Sequence, residues 1–356
     1  MSGSARILVV GPSWVGDMVM AQALFMELKY RNPDVVIDVL APEWTRPLLE
    51  RMPEVNQAID LPFEHGELGL VRRRALGMQL HKAAYDQAIV LPNSFKSALI
   101  PWFAGIERRT GWRGEKRSRI LNDCRVLDKN QLPLMVQRFI ALALPADAIL
   151  PEQLPDPMPV PRLRSDKDGV ASTREMFGMD SSRRILALCP GAEFGDAKQW
   201  PADYFADVAN ARIEQGWQVV LLGSENDRQV TDAILDQTDP DYCLNLAGET
   251  SLSQAIDLLD MADAVVSNDS GLMHIAAALH RPLVAIYGST SADFTPPLTD
   301  RVELVSLDIE CRPCFARQCP LRHKRCLTEL LPARVLSALQ RLDGPALAGE
   351  TQPCES

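Results

Sequence analysis

Ser267-Asn268-Asp269-Ser270-Gly271-Leu272-Met273-His274 is a segment that connects a predicted buried strand to a predicted helix. The apolar run 264–266 before it contains two β-branched residues, and the run 275–279 after it is helix-forming. Asp269 is therefore expected at or near the helix N-cap. The first N–H groups of a helix have no intrahelical partners and carry the positive end of the helix dipole, so this segment predicts an anion site.

Two further residues of the segment bear on that site. Ser270 and His274 are four residues apart, so they would share one helical face beside the anion. The alternative interpretation is that Asp269 only caps the helix and that His274 is a packed histidine.

A second crossing from strand to helix lies near the N-terminus. The glycine-containing turn Gly11–Asp17 follows the apolar run Arg6–Val10 and precedes the periodic run Met18–Tyr30. It matches neither G-x-G-x-x-G nor G-x-x-x-x-G-K-[ST], which argues against dinucleotide and P-loop sites. Asp17 would lie at the head of the helix, where the dipole favours an ionised carboxylate that is suited to act as a general base.

The composition limits the class of protein. The chain has 356 residues, which predicts about two domains, and its net charge of −10 argues against a general nucleic-acid binder. The first ten residues contain no signal-peptide cleavage pattern, and no apolar stretch approaches the ~20 residues of a membrane span. We therefore expect a soluble, intracellular protein.

Two halves with alternating strands and helices are separated by a proline-rich segment at 145–161. The strands are predicted at 6–10, 35–40, 56–61, 86–91 and 106–111, and at 185–189, 217–222, 243–246, 264–267, 283–287 and 302–307. This alternation predicts an α/β fold with two Rossmann-like, doubly wound domains that face a central cleft. The predicted domains are 1–160 and 161–330, followed by a C-terminal helix and tail at 331–356.

Charged residues follow two more strands of the second half. Lys198 lies in the loop 190–201, where it could reach a pyrophosphate as a point charge, or it is an ordinary surface lysine. Glu225 follows the strand 219–222, where its carboxylate could accept hydrogen bonds from ribose hydroxyls, or it is a charge at a helix N-terminus.

A basic patch interrupts the acidic chain. The sequence RRTGWRGEKRSR, residues 108–119, carries six basic residues against one acid, and Arg72-Arg73-Arg74 and Lys96 are near in sequence. Such a patch is suited to an anionic substrate or to anionic lipid headgroups. The alternative is a solvated charged loop.

Four cysteines have the spacing C-x2-C-x4-C-x6-C at Cys311, Cys314, Cys319 and Cys326. This spacing predicts a small structural zinc site, or else free cysteines or redox-labile pairs. The other cysteines, Cys124, Cys189, Cys243 and Cys354, are scattered and predict buried fillers and, for Cys354, a tail residue.

Six segments together carry a resemblance to a known family. They are GPSWVGDMVMAQAL (11–24), RPLLERMPEVNQAI (46–59), LPNSFKSALIPWFAGI (91–106), RTGWRGE (109–115), PGAEFGDAKQWP (190–201) and NDSGLMHIAAAL (268–279). The chain resembles the ADP-heptose:lipopolysaccharide heptosyltransferases of glycosyltransferase family nine over most of residues 5–300, within it the group that adds the second heptose. The resemblance implies a GT-B fold, with the donor ADP-heptose on the C-terminal domain and the acceptor on the N-terminal one. It also implies inverting transfer of L-glycero-D-manno-heptose to the first heptose of the inner core.

Residue roles follow from the resemblance by position. Asp17 matches the catalytic base, and the donor-binding residues are Lys198, Glu193, Glu225, Asp269, Ser270, Gly271 and His274. Lys96, Arg113, Lys116 and Arg117 are assigned by domain and charge to the Kdo and lipid A part of the acceptor. No D-x-D-type pair is convincingly placed for Mg²⁺, so we expect transfer without a catalytic metal or other cofactor. The expected location is the cytoplasmic face of the inner membrane, with peripheral contact.

Three alternatives remain open from the sequence. A related heptosyltransferase with another acceptor position would share these motifs. A nicotinamide-dependent oxidoreductase has similar domains but needs the G-x-G-x-x-G that is absent, and a non-catalytic nucleotide-sugar-binding protein would bind ADP-heptose without turnover.

The last predicted helix, 332–343, is expected to pack back on the N-terminal domain, and the tail after it to be disordered.

Overall fold

The computed structural model describes residues 4–63, 66–147 and 151–343, which form two compact units. The first unit comprises the described residues of Met1–Phe177 together with Thr250–Asp260 and Ser291–Leu298. The second comprises those of Gly178–Glu249, Met261–Thr290 and Thr299–Ser356. The predicted tail 344–356, which includes Cys354, lies outside the described residues.

The first unit contains a six-stranded sheet with helices between the strands. Its strands are β1 (Arg6–Val10), β2 (Val36–Ala41), β3 (Val55–Asp60), β4 (Gln87–Val90), β5 (Arg108–Trp112) and β6 (Asp123–Arg125). Its helices up to Phe177 are α1 (Val15–Arg31), α2 (Arg46–Glu50), α3 (Leu70–Leu80), α4 (Leu99–Phe103), α5 (Met135–Ile140) and α6 (Lys167–Met176). Short 3-10 turns lie at Glu43–Thr45, His81–Ala83, Phe95–Ala98, Arg117–Arg119 and Pro151–Gln153. All strand pairs are parallel, in the order β3-β2-β1-β4-β5-β6.

The second unit contains another six-stranded parallel sheet. Its strands are β7 (Ile185–Cys189), β8 (Gln218–Leu221), β9 (Cys243–Asn245), β10 (Ala264–Asn268), β11 (Leu283–Ile286) and β12 (Val302–Val305). The helices of this half of the chain are α7 (Ala202–Ile213), α8 (Arg228–Leu235), α9 (Leu252–Met261), α10 (Gly271–Ala278), α11 (Arg325–Thr328) and α12 (Pro332–Asp343), with 3-10 turns at Asp196–Lys198 and Glu225–Asp227. The order is β12-β11-β10-β7-β8-β9, and all pairs are parallel.

The two sheets confirm the predicted pair of doubly wound α/β folds. The eleven predicted strands all form. The central ones, such as β1, β7 and β10, are short apolar runs that are buried on both faces of the parallel sheet. β6 was not predicted, since its three residues, Asp123, Cys124 and Arg125, give no apolar run. In both sheets the strand order reverses beside the first strand, between β1 and β4 and between β7 and β10. Ligands of such sheets bind outside the carboxyl ends of the strands at this reversal.

The first unit extends beyond the predicted boundary at residue 160. The side-chain amide of Gln22 donates to the Arg162 carbonyl over 2.8 Å, and Arg164 N–H donates to the Arg51 carbonyl over 2.8 Å. Thr173 of α6 donates to the buried carboxylate of Asp257 in α9, at 3.2 Å. These bonds attach the segment after the prolines to the first unit.

The C-terminal helix α12 packs on the second sheet, against β11, β12 and α7. Its expected packing on the N-terminal domain stays a prediction. Its buried residues, Val335, Ala338 and Leu339, recur at helical spacing and join the same apolar core as Trp200 and Phe205.

Candidate active site

Asp17 is the third residue of α1, directly after the turn that leaves β1. The N-cap is Trp14, whose side chain makes no capping hydrogen bond, and Asp17 is half-buried in the first turn. Gly11 permits this tight crossing, because a Cβ there would lie 2.7 Å from the Met18 methyl carbon. The structure therefore places the Asp17 carboxylate at the carboxyl end of β1, beside the strand-order reversal of the first sheet.

Lys198 and Asp269 meet at the corresponding reversal of the second sheet. Lys198 follows β7 and Asp269 follows the adjacent strand β10, so the parallel pairing brings their loops together. Nζ of Lys198 lies 2.6 Å from Oδ2 of Asp269, and both side chains are largely buried, at 13% and 5% exposure. Removing one partner of such a buried ion pair strongly destabilises the folded protein, because the other charge stays buried without its counter-charge.

Asn268 fixes the two ends of the loop that carries Lys198. Its Nδ2 donates to the Pro190 carbonyl over 2.7 Å, and its Oδ1 accepts from the Trp200 backbone N–H over 3.3 Å. Asn268 is fully buried, so these bonds replace water that it cannot reach. The loop between Pro190 and Trp200 is thereby attached to the end of β10.

The helix after this strand begins close to the predicted position. Ser270 is the N-cap of α10 and Gly271 is its first residue, so Asp269 lies directly before the cap, within the expected position at or near it. The Asp269 carboxylate is held by Lys198 and by Thr290 Oγ1, which donates over 2.6 Å. Ser270 makes no side-chain capping bond. The first N–H groups of α10 therefore receive no cap from this residue, as an anion-binding N-terminus requires.

His274 lies on the second turn of α10 and is buried, with 4% of its surface exposed. Burial lowers its pKa to about 4, the charge of Asp269 acts in the opposite direction, and Lys198 lowers the pKa further. The imidazole is therefore neutral at pH 7. It can donate or accept a hydrogen bond there but brings no positive charge.

Thr290 and Arg312 belong to this arrangement although the sequence did not single them out. The Arg312 guanidinium donates to the carbonyls of Gly288 and Thr290, over 2.8 and 3.0 Å. It thereby fixes the turn from which Thr290 reaches Asp269. The run of small hydroxyl residues 289–291 after β11 was the available signal, since hydroxyls at the carboxyl end of a strand are suited to a polar site.

The Glu193 and Glu225 carboxylates lie at the ends of β7 and β8, and both side chains are exposed. Glu193 accepts a hydrogen bond from Ser224 Oγ over 3.0 Å. Glu225 begins a 3-10 turn that leads into α8, a place that fits a helix-start charge as well as a ribose contact. Beneath them Asp227 accepts from Ser224 N–H over 2.8 Å, and a Cβ on Gly191 would lie 2.4 Å from its carboxylate.

The predicted acceptor residues divide into two groups. Arg113 and Lys116 are exposed and Lys96 is half-buried. Arg117, in contrast, is fully buried, and its guanidinium donates to the carbonyls of Trp112 and Pro92 and to the Asn93 side chain. Burial lowers its pKa to about 10. Arg117 therefore supports the loops after β4 and β5, and the expected acceptor contact through its side chain is corrected.

The four clustered cysteines all line one small cavity in the second unit, together with His323. They are free thiols, and no three or more His, Cys, Asp or Glu side chains of the described residues are arranged to hold a metal ion. The structure thus gathers the thiols but does not show the predicted zinc geometry. Backbone N–H groups, first that of Lys324, lower the pKa of Cys319.

The loop of these cysteines braces the Lys198 loop. The Arg317 carbonyl accepts from the Ala197 N–H over 3.1 Å, and Lys324 Nζ lies 2.7 Å from Asp196. Gly195 has φ of 150°, and a Cβ there would lie 2.3 Å from the Arg317 oxygen, so only glycine allows this approach.

Among the described residues, none of the helices has the length and apolar character that a membrane-spanning helix needs.

Comparison with known proteins gives consistent similarities. The model of glycosyltransferase family 9 (heptosyltransferase) matches residues 73–325. The chain is 49% identical over 341 residues to lipopolysaccharide heptosyltransferase 2 of Escherichia coli K12, covering 95% of this chain and 98% of that protein. It is 46% identical over 352 residues to lipooligosaccharide heptosyltransferase 2 of Haemophilus ducreyi, covering 95% and 99%. The solved structure of E. coli ADP-heptose lps heptosyltransferase II superposes with a TM-score of 0.87 at 48% identity, covering 95% of this chain and 98% of that one.

Proposed function

Because the chain belongs to glycosyltransferase family 9, the heptosyltransferase family, we propose that it transfers heptose from ADP-heptose to the first heptose of the lipopolysaccharide inner core. The observation that carries this proposal is 49% identity over 95% of the chain to a relative named lipopolysaccharide heptosyltransferase 2. The two doubly wound sheets are those of a GT-B glycosyltransferase, as the structural similarity supports.

The donor diphosphate is proposed to bind at the strand-order reversal of the second sheet. There the start of α10 at Ser270 and Gly271 offers backbone N–H groups, and Lys198 adds a positive charge. Asp269 holds the lysine in place and is itself held by the Thr290 hydroxyl. In the transition state the departing diphosphate gains negative charge, and donors fixed in advance stabilise that charge without reorganising.

His274 acts in this proposal as a neutral hydrogen-bond donor toward the donor substrate. Its low pKa means that it neither adds charge near pH 7 nor competes with Lys198 for Asp269. Glu193 and Glu225, exposed at the neighbouring strand ends, are proposed to accept hydrogen bonds from ribose hydroxyls.

Asp17 is proposed as the general base. Transfer with inversion requires that the attacking hydroxyl of the acceptor lose its proton as its oxygen bonds to the anomeric carbon while ADP departs. A carboxylate in the first turn of α1 is stabilised in its ionised form by the helix N-terminus, so it is ready to take that proton.

The anionic acceptor is proposed to meet those basic side chains of the first unit that are exposed or half-buried. Lys96, Arg113 and Lys116 are the candidates for its carboxylates and phosphates, whereas the buried Arg117 positions the loops that carry them. No metal is part of this proposal, and an undiminished rate in excess EDTA is expected. The enzyme would act at the cytoplasmic face of the inner membrane.

The test is incubation with ADP-heptose and a truncated lipopolysaccharide that carries one heptose, followed by mass spectrometry. The expected product is heavier by one heptosyl residue, and an acceptor without heptose should remain unchanged. Transfer to the heptose-free acceptor alone would assign a different acceptor position. Binding of ADP-heptose without any product would indicate a nucleotide-sugar-binding protein and would contradict the proposal.

A further inference from the structure

Exposed apolar side chains are concentrated in one short part of the first unit. Of the fifteen large hydrophobic residues that are exposed in the described chain, six fall between residues 68 and 102: Leu68, Leu70, Val71, Met78, Phe95 and Trp102. Scattered exposed hydrophobics are ordinary, but a group of them on one surface marks an interaction site.

Helix α3 presents an amphipathic face to solvent. Val71, Ala75 and Met78 have the spacing i, i+4, i+7, so they share one side of the helix, and all three are exposed, Val71 at 82% and Met78 at 59%. The other side is anchored, since Arg73 and Gly77 are buried. The apolar stripe therefore points outward because the unit already covers the opposite face.

Helix α4 adds an exposed tryptophan beside this helix. A Cβ on Gly77 would lie 2.5 Å from Cβ of Phe103 and 2.9 Å from the Ile100 carbonyl oxygen, so α3 and α4 touch backbone to backbone at Gly77. Trp102 precedes Phe103, with ring centroids 4.9 Å apart, and is 48% exposed. A tryptophan with one apolar and one polar edge is typical of a protein surface at a membrane–water boundary.

The charge around the stripe is positive although the chain as a whole is acidic. Residues 68–85 contain four basic residues, Arg72, Arg73, Arg74 and Lys82, and no Asp or Glu, whereas the whole chain carries −10. The Arg73 side chain contacts its own unit instead of solvent: it donates to the Leu68 carbonyl over 2.7 Å and stacks on the Phe63 ring. Arg72 is exposed but pairs with Glu67 over 2.8 Å. Arg74 and Lys82 are exposed and flank the stripe.

We propose that the exposed face of α3, with Trp102 of α4, docks on an anionic lipid bilayer. The proposal extends the proposed function, since an acceptor that carries lipid A is held in a bilayer. An exposed apolar stripe bordered by Arg74 and Lys82 is suited to contact with an anionic bilayer surface. Arg74 and Lys82 would meet lipid phosphates while Val71, Met78 and Trp102 enter the headgroup region.

The basic patch 108–119, which the sequence offered for lipid contact, is less suited to this role. Arg117 is buried, Arg109 donates to the Ile120 carbonyl over 2.7 Å, and Arg108 pairs with Asp123 over 3.1 Å. Three of its six basic side chains are thus committed to internal partners. It also contributes only Trp112 as a large apolar residue, and Trp112 is 4% exposed.

The experiment is co-flotation of the full chain with vesicles of phosphatidylcholine alone and of phosphatidylcholine with phosphatidylglycerol. The test variant combines Val71→Ser, Met78→Ser and Trp102→Ser. The matched control combines Tyr30→Ser, Met176→Ser and Leu331→Ser, which removes as many exposed apolar side chains from outside the segment 68–102. We expect binding to the anionic vesicles only, unchanged in the control and weakened roughly tenfold or more in the test variant. Raising the salt from 0.1 to 0.5 M should weaken binding of the wild type.

A fluorescence measurement locates the contact. Vesicle binding should shift the tryptophan emission to the blue in the wild type, and Trp102→Phe should lose most of that shift while still floating with the vesicles. Equal flotation of wild type, control and test variant would overturn the proposal, as would no binding to anionic vesicles. A concentration-dependent dimer that the test variant dissociates, without vesicle binding, would assign the face to a second copy and overturn it as well.

Turnover of a lipid-free, one-heptose oligosaccharide separates this inference from the proposed function. The test variant should turn over this acceptor at the wild-type rate and lose rate only with vesicle-embedded acceptor. If the wild type does not turn over this acceptor, the proposed function is contradicted. The flotation result would still decide the docking surface.

Discussion

Oδ2 of Asp269 accepts hydrogen bonds from Nζ of Lys198 and from Oγ1 of Thr290, each at 2.6 Å. The carboxylate is 5% exposed and thus depends on these partners for the contacts that water would otherwise provide. One buried acid therefore orients the lysine that we assign to the donor diphosphate.

The first prediction concerns this pair. Asp269→Asn leaves Lys198 without its counter-charge, so we expect a loss of about 3 kcal/mol in the free energy of unfolding. The KM for ADP-heptose should rise while the KM for the acceptor stays the same. Chemical denaturation and steady-state kinetics check both parts. Glu329→Gln, which breaks an exposed pair with Arg325, is the control and should leave the unfolding midpoint unchanged. An unchanged midpoint for Asp269→Asn would contradict the assignment.

The second prediction concerns pH. His274 is neutral in the folded state with a pKa of about 4, whereas an unfolded histidine titrates near 6.5. The unfolded chain therefore binds more protons between these values, and stability falls as pH is lowered from about 6.5 to 4. The free-energy difference between wild type and His274→Gln should change by about 3 kcal/mol across this window. A His274 ring resonance that titrates near pH 6.5 in the folded protein would refute this.

The third prediction separates two arginines of the basic patch. Arg117→Met removes a buried guanidinium and leaves the carbonyls of Trp112 and Pro92 unpaired, so we expect a loss of about 3 kcal/mol in stability. Arg113→Ala, at an exposed position, should keep the melting temperature and raise the acceptor KM in a salt-dependent manner. Thermal unfolding and kinetics at two salt concentrations distinguish them. Equal melting temperatures for the two variants would show that Arg117 is not structural.

The fourth prediction concerns thiol reactivity. Backbone N–H groups, first that of Lys324, lower the pKa of Cys319, whereas burial raises that of Cys326 and raises that of Cys189 to about 12. Because the thiolate is the nucleophile, Cys319 should react fastest with iodoacetamide near pH 7. Peptide mass spectrometry over a time course measures the order. Labelling of Cys326 before Cys319 would contradict the structure.

The strand positions were accessible from the sequence for a physical reason. Parallel strands buried on both faces appear as short apolar runs, such as Ile185–Cys189, and the proline cluster marked the change between halves. The Asp123–Arg125 strand escaped because its polar residues resemble a loop. The first unit extends past the predicted boundary to Phe177, because hydrogen bonds that no local sequence pattern encodes attach this segment to it.

The candidate site was accessible only in part. Asp17, Lys198 and Asp269 follow predicted strands. Because ligands of parallel sheets bind at the carboxyl ends of the strands, polar residues at these positions predict a binding site. Thr290 and Arg312 are far along the chain and contribute through tertiary contacts, so local spacing could not reveal them. The acceptor contact predicted for Arg117 was wrong, because a charged residue type does not show whether its side chain is solvated or buried.

The central claim is that the Asp17 carboxylate takes the proton of the attacking hydroxyl, and kcat of Asp17→Asn tests it most directly. The amide keeps the shape of the side chain but cannot act as a base, so kcat should fall by roughly 10²–10⁴-fold. The affinity for ADP-heptose should remain that of the wild type, and Asp34→Asn, at an exposed loop position, should be fully active. A kcat of Asp17→Asn within a few fold of the wild type would contradict the account.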